Sequence, residues 1–360
     1  MSPPVPPLAS GASQFFLLLP AAPPSPSPCQ RGIPQSLPPA RGEVRRGANY
    51  AYTIKSSTRP HQAPPGLPNQ PLAFERRRHQ YMTLSPTTAL LDLRTPPAYQ
   101  SGHHLNASHL PFAALIMRRH ELPPPGTPLR VLHDDAADLT IAVSQLQDWS
   151  YPVVSALLVD AERLAHWRQS GELVTGQSSE RLWQANGALE LALPRWSHPA
   201  QPASGPARAL DLACGSGRDA LLLAMHGYDV LAIDHKVDAL ARLKASASAL
   251  QLVIHTRCCD LEDPAFALAD AAFDLVTIAR YLHRPLLPRL RDWLAPGGLL
   301  VYETFARGAE RFSGPKRAEY LLEQGELSAL FADWSILLAQ VVSLADGRPV
   351  QQFVARRPLS

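Results

Sequence analysis

The chain is short of several things, and each shortage narrows its class. Of 360 residues only four are cysteine, at 29, 214, 258 and 259, with no Cys-x-x-Cys and no histidine at zinc-like spacing. A disulfide framework and a zinc site of the usual pattern are therefore not expected. Cys258 and Cys259 are adjacent, which makes a bond between them awkward, so reduced thiols are expected. Charged residues make up 18% and aromatic ones 7%. The 46% hydrophobic share is enough for buried cores, and the length leaves room for two ordinary domains. Long apolar runs are missing too: Phe15 to Leu19 is brief and soon meets prolines, and no basic residue precedes Arg31. A membrane span and a secretory signal both lack their patterns. The expectation is a soluble, cytoplasmic protein.

Acidic residues are scarce in one part only. Residues 1–81 hold 17 of the 37 prolines, nine Lys and Arg, and two Asp and Glu; the rest of the chain holds 25 basic and 29 acidic residues. The first stretch has no sustained periodicity and too little apolar surface to offset its chain entropy, so it reads as a disordered tail. Met82 stands just before the first strand-like segment and is a candidate translation start, which would leave residues 1–81 unmade. An Arg-rich transit peptide is the alternative, although its proline density opposes an amphipathic helix. The foldable remainder is mildly acidic, which argues against a broad nucleic-acid-binding face.

What is present centres on Ala209 to Asp234, ALDLACGSGRDALLLAMHGYDVLAID. An apolar run, a glycine turn, a helical stretch and a second apolar run closing on an acid make one βαβ unit. Glycines let backbone N–H groups approach a ligand closely, and a carboxylate ending the second strand can accept two ribose hydroxyls. A dinucleotide turn would want a third glycine where Ala220 stands. Asp211, ending the first strand, would repel a pyrophosphate and suits an ammonium group. The unit should therefore hold S-adenosylmethionine (SAM).

These residues resemble the SAM-binding start of class I methyltransferases. The resemblance continues through HTRCCDLED (255–263), FDLVTIARYLHRPLL (273–287), LAPGGLLVYETF (294–305) and QGELSALFADW (324–334), and is nearest the tellurite-resistance type. It covers Ala209 to Pro358 and implies a Rossmann-like, seven-stranded α/β sheet with an antiparallel last strand. Ala213 departs from the family's usual glycine and is expected to narrow the pocket slightly. The strands are expected over 207–213, 229–234, 252–256, 273–278, 299–304 and 350–355, with one more after Trp334 and an Asp346-Gly347 hairpin turn before the last. Helices are expected over 237–249, 286–293 and 326–332.

Ligands bind beyond the carboxyl ends of such strands. The expected cofactor set is Asp211, Ala213, Gly215, Gly217, Asp234, His235, Asp260, Leu261 and Ala279, with Asp234 on the ribose and Asp260 on the adenine amino group. Arg280, Tyr281, His283 and Glu303 border the transferred methyl and form the candidate catalytic set. His283 fits either a general base or a structural histidine. Arg280 and Arg307 fit either an anionic acceptor or salt bridges to Glu303 or Glu326. Cys214 is expected to be a packing residue. No Asn-Pro-Pro-Tyr-like segment follows the fourth strand, which favours a small-molecule acceptor such as a thiol or metalloid oxyanion over nucleic acid. An RNA or protein methyltransferase, or a protein that binds SAM without catalysis, remains the rival.

Upstream, strand and helix patterns alternate from Ala89 to Thr175 and imply a small α/β domain with a parallel sheet. Across roughly Leu84 to Thr175 the chain resembles the rhodanese family, in Asp92 and Arg94, in Gly102-His103 and Ala107, and in Trp167. That family's thiol position falls on His133, in a loop that carries Asp134, Asp135 and Asp138. Sulfur transfer there has no sulfur to carry it, and a metal site would lack further ligands. The expected organisation is a tail over 1–81, an inactive rhodanese-like domain over 82–175 offering a contact surface for a protein partner, a linker or lid over 176–206, and the methyltransferase domain over 207–360. In the linker, Arg181 to Trp183 fits either a lid or a packing helix.

Overall fold

Residues 88–197, 205–270 and 272–359 are described in the computed structural model. The expectations for the first 81 residues and for Met82 lie outside these. No helix among the described residues is long and apolar enough to cross a membrane.

The N-terminal elements run β1 (Ala89–Asp92), α1 (Pro96–Ser101), β2 (His103–His104), β3 (Ala107–His109), β4 (Leu129–His133), α2 (Ala136–Asp148), β5 (Val153–Leu158), α3 (Ala161–Ser170) and β6 (Leu173–Val174). Four strands form a parallel sheet in the order β3-β1-β4-β5. β2 and β6 pair separately and antiparallel. Asp92 and Arg94 are nearly solvent-free and joined by a two-pronged ion pair, Nη2 to Oδ2 at 2.7 Å, and Trp167 is buried as expected. In the 133–138 loop His133 is buried, and its Nδ1 accepts the Asp135 N–H at 2.8 Å. Asp135 caps α2 by accepting from Ala137 and Asp138, an ordinary use of Asp at an N-cap. No metal-holding group of His, Cys, Asp or Glu occurs among the described residues.

The C-terminal elements are α4 (Gly187–Trp196), β7 (Arg208–Leu212), α5 (Arg218–Met225), β8 (Asp229–Asp234), α6 (Val237–Ala249), β9 (Ile254–Cys258), β10 (Phe273–Ala279), α7 (Leu290–Trp293), β11 (Leu294–Phe305), α8 (Glu326–Leu330), β12 (Ser335–Ser343) and β13 (Pro349–Arg356). Seven strands form one sheet in the order β12-β13-β11-β10-β7-β8-β9, and β13 runs antiparallel to both of its neighbours. This is the expected Rossmann-like, seven-stranded α/β sheet with an antiparallel last strand. Alternate residues of β7, β8, β10 and β11 feed two cores. Leu210, Ile233, Val276 and Tyr302 face one side; Ala209, Ala232, Leu275 and Val301 face the other. Strands buried on both faces need the near-continuous apolar runs that the sequence has.

Some boundaries differ from expectation. The helix expected over 286–293 is a 3-10 turn, Arg284–Leu286, followed by the short α7. Pro285 and Pro288 lack the N–H that a continuous helix would use. β11 begins at Leu294, well before 299, because its first residue already pairs with Phe273 of β10. Cys214 and Cys259 are free thiols.

Trp183 settles into the core beneath α4, only 4% exposed, beside Leu189, Leu193 and Leu222. Burying an indole removes roughly 200 Å² from water, at most about 5 kcal/mol. Of the two readings of Arg181 to Trp183, the packing of Trp183 is observed, but from non-helical chain ahead of α4 rather than from a helix. Arg181 pairs with Glu190 at 2.6 Å, and α4 lies on β11 and β13.

Candidate functional site

The chain orders β7, β8 and β9 outward on one side and then returns to place β10 on the other side of β7. The carboxyl ends of β7 and β10 therefore flank the point where the winding reverses, which is where open α/β sheets leave a crevice. Asp211 ends up beside Thr277, and Ala279 beside Glu303.

The turn after β7 is built by hydrogen bonds to its neighbour. The Cys214 N–H donates to the Ile233 carbonyl at 3.0 Å, the Gly215 N–H to Asp234 Oδ2 at 2.8 Å, and the Gly217 N–H to the Cys214 carbonyl at 2.8 Å. Ala213, Gly215 and Gly217 all take positive φ, at 55°, 54° and 79°. At Ala213 the departure from glycine thus acts on the backbone. A left-handed alanine is strained by about 1 kcal/mol, whereas a modest loss of pocket width was expected. A Cβ on Gly215 would meet nothing within 4 Å, so the turn leaves open space on that side.

Three carboxylates converge behind the turn. Asp211 is 1% exposed and accepts the Ala220 N–H at 3.0 Å. Burial first, then the Asp219 and Asp234 charges, push it well above the usual carboxylate range. Asp219, on α5, is also raised by burial; it accepts the Asn186 backbone N–H at 2.9 Å and the Asn186 side-chain amide at 2.5 Å. Asp234 uses one oxygen for Gly215 and the other for the Lys236 N–H at 2.8 Å. A carboxylate has about four acceptor positions, so lone pairs remain on both oxygens. His235 is largely exposed, with Nδ1 3.7 Å from Asp234.

The remaining expected residues fall into distinct environments. Asp260 is exposed and accepts the Glu262 N–H at 2.9 Å, while Leu261 is buried in the core. Ala279 ends β10, and Arg280 follows with φ 56°. Arg280 Nη2 donates to Glu303 Oε1 at 2.6 Å. Glu303 is 1% exposed, and its other oxygen accepts from the Ala188 N–H at 3.2 Å and from Gln352 at 2.8 Å. Three of that carboxylate's roughly four acceptor positions are engaged. Tyr281 donates to Glu262 at 3.4 Å, and burial, then Glu262 and Asp260, raise its phenol, which stays protonated at neutral pH. His283 Nδ1 lies 3.9 Å from the same glutamate. Arg307 pairs with Glu323 at 2.5 Å. Burial raises the Cys214 thiol, as a packing residue would have it.

Sequence reasoning passed over Asn186 and Glu262. Asn186 caps α4 by accepting the Leu189 N–H, a role its residue type signals. Its bond to Asp219 spans 33 positions and has no local signal. Glu262 differs in no visible way from the acids beside it. A cavity of about 50 Å³ at the junction of the two sheets, lined in part by Ser108, His109, Arg118 and Trp183, is too small for a nucleoside.

Residues 209–298 match a family described as "Methyltransferase domain". Hemagglutinin 1 of Eikenella corrodens is 29% identical over 41% of this chain and 52% of its own length. A Schizosaccharomyces pombe protein named uncharacterized protein UNK4.09 is 22% identical over 74% of this chain and 93% of its own length. The probable SAM-dependent methyltransferase TehB of Haemophilus influenzae (strain Rd) is 27% identical over 37% of this chain and 47% of its own. The crystal structure of TehB from Haemophilus influenzae covers 48% of this chain and 62% of that one, with 22% identity and a TM-score of 0.40. The chain thus spans about half the length of the hemagglutinin and TehB relatives. The matched residues run from β7 into β11 and so include the glycine turn and the strand ends that flank the crevice.

Proposed function

We propose that the protein transfers the methyl group of SAM to a small-molecule acceptor, a thiol or metalloid oxyanion being the first classes to try. The observation that carries this reading is the set of carboxylates behind an open glycine turn. Asp211, Asp219 and Asp234 concentrate negative charge that a cationic amino-acid cofactor would relieve. The spare lone pairs of Asp234 suit a ribose, and Asp260 suits the adenine amino group.

When bound, SAM supplies an electrophilic methyl group, so the protein has mainly to hold and align the acceptor. Tyr281, His283 and Glu262 form a group that can hold an acceptor by hydrogen bonds and, through His283, take its proton. Arg280 belongs with Glu303 as a positioning pair, since an anionic acceptor would have to compete with a buried carboxylate for it. A soft anionic nucleophile needs no base.

The domains in this reading are a rhodanese-like unit over 82–175, a connector over 176–206 and the methyltransferase over 207–360. The first is a scaffold without sulfur chemistry, since His133 stands where a thiol would be needed.

Calorimetric binding of SAM and S-adenosylhomocysteine to the full chain, beside Asp234→Ala, tests the proposal. Saturable binding abolished by the substitution, followed by acceptor-dependent S-adenosylhomocysteine formation with thiols or metalloid oxyanions, is expected. A folded wild-type protein that binds neither compound would overturn it.

A further inference from the structure

The 3-10 turn Arg119–Glu121 projects from the N-terminal sheet onto α5 and α6. Arg118 and Glu121 are at most 9% exposed and form a two-pronged ion pair, at 2.6 and 2.7 Å. Ser246 of α6 is fully buried, and its hydroxyl donates to Glu121 Oε1 at 2.5 Å. That donation commits its only proton. The contact of Ser246 with His120 Nε2 at 3.0 Å must therefore be a bond in which the histidine donates. His120 is then a neutral Nε2–H imidazole, in keeping with burial that lowers it to about 4. Its Nδ1 is buried without a partner.

The same turn reaches the cofactor loop. Arg218, first residue of α5, donates from Nε to the His120 carbonyl at 2.7 Å. On α6, Arg242 donates to Ser216 at 3.0 Å, and Leu243 lies against Gly217. Positions 242, 243 and 246 share one helical face by their spacing. The face that shapes the glycine turn is thus the face held by Glu121. The next residue of α5, Asp219, is held by Asn186, so both residues that open the helix are tied to chain preceding β7.

We propose that the Arg118–Glu121 turn is a positioning element for the cofactor loop. By holding Arg218 and Ser246 it fixes the start of α5 and the facing side of α6, so that cofactor affinity depends on a contact made by the N-terminal sheet. This rests on the SAM reading above. The N-terminal unit then contributes to the methyltransferase site without offering a side chain to it. Backbone amides that are already fixed lose less freedom when a ligand orders them.

The test uses full-length protein with Ser246→Ala and, separately, Arg218→Met, which sits at the surface, keeps an aliphatic stem and leaves the core untouched. SAM binding by calorimetry and amide hydrogen exchange in the cofactor-free protein are both read. Each variant is expected to weaken SAM binding about tenfold and to speed exchange at Gly215 to Ala220, while β12 and β13 exchange as in wild type. The double variant should be less than additive, because both bonds serve one contact. Affinities within twofold of wild type, with unchanged exchange at Gly215 to Ala220, would overturn the proposal even if thermal stability fell. Wild-type protein that fails to bind SAM overturns both readings; wild-type binding with unaffected variants overturns this one alone.

Discussion

A Cβ placed on Gly217 would lie 2.3 Å from Leu243 Cδ1, and Leu243 has no exposed surface through which to retreat. Gly217 also has φ 79°. Gly217→Ala therefore combines overpacking with left-handed strain, together about 3 kcal/mol. Thermal unfolding should show that loss, and SAM affinity should fall with it as α5 is pushed from α6. Leu243→Ala in the same chain clears the collision, so the double variant should bind SAM better than Gly217→Ala does. Equal affinities would mean that the backbone conformation, and not the contact, makes glycine necessary.

Asp211 sets stability against cofactor binding. Its folded value is raised above the usual 3.8, chiefly by burial. In the absence of cofactor, its stabilising contribution is present below pH 3.8 and is lost as pH rises through the raised value. Asp211→Asn keeps an oxygen for the Ala220 N–H and removes the buried charge. The variant should be more stable near neutral pH by about 1 kcal/mol and bind SAM at least tenfold more weakly.

Ala213 is a sequence departure whose consequence lies in its φ of 55°. Ala213→Gly removes left-handed strain of about 1 kcal/mol, part of which is offset by the greater freedom of glycine in the unfolded chain. A small rise in midpoint, with SAM affinity changed by no more than a few-fold, is the expected result of denaturant titration and calorimetry. A marked fall in midpoint would show that the alanine methyl packs usefully against the core it borders.

Apolar runs between turn residues make most of the C-terminal fold legible in the sequence itself. α6 occupies the expected 237–249, and the Asp346-Gly347 turn joins β12 to β13, with Gly347 at φ 83°. What local pattern did not show is where prolines divide a helix, as at Pro288, or where pairing lengthens a strand, as at Leu294. In the site, carboxylates at strand ends could be read from position alone. Their pairings could not, because Asn186 and Asp219, or Glu121 and Ser246, meet only after the chain has folded, and single residues at such distances leave no periodicity.

Arg280 and Glu303 carry the last prediction. Arg280 is one-third exposed, whereas Glu303 is 1% exposed and receives Ala188, Gln352 and the guanidinium together. Removing the arginine leaves a buried carboxylate without its cation, so Arg280→Ala should lower stability by about 2 kcal/mol. Glu303→Gln beside it removes the charge that needed balancing, and should restore more than half of that loss. Activity need not follow stability. If the pair only positions the ends of β10 and β11, the double variant regains acceptor turnover along with its midpoint. If Arg280 instead holds the acceptor, the double variant refolds to near wild-type stability and still shows a raised KM for the acceptor at unchanged SAM affinity. Denaturant titration and steady-state kinetics on the same three proteins, wild type included, separate the two outcomes.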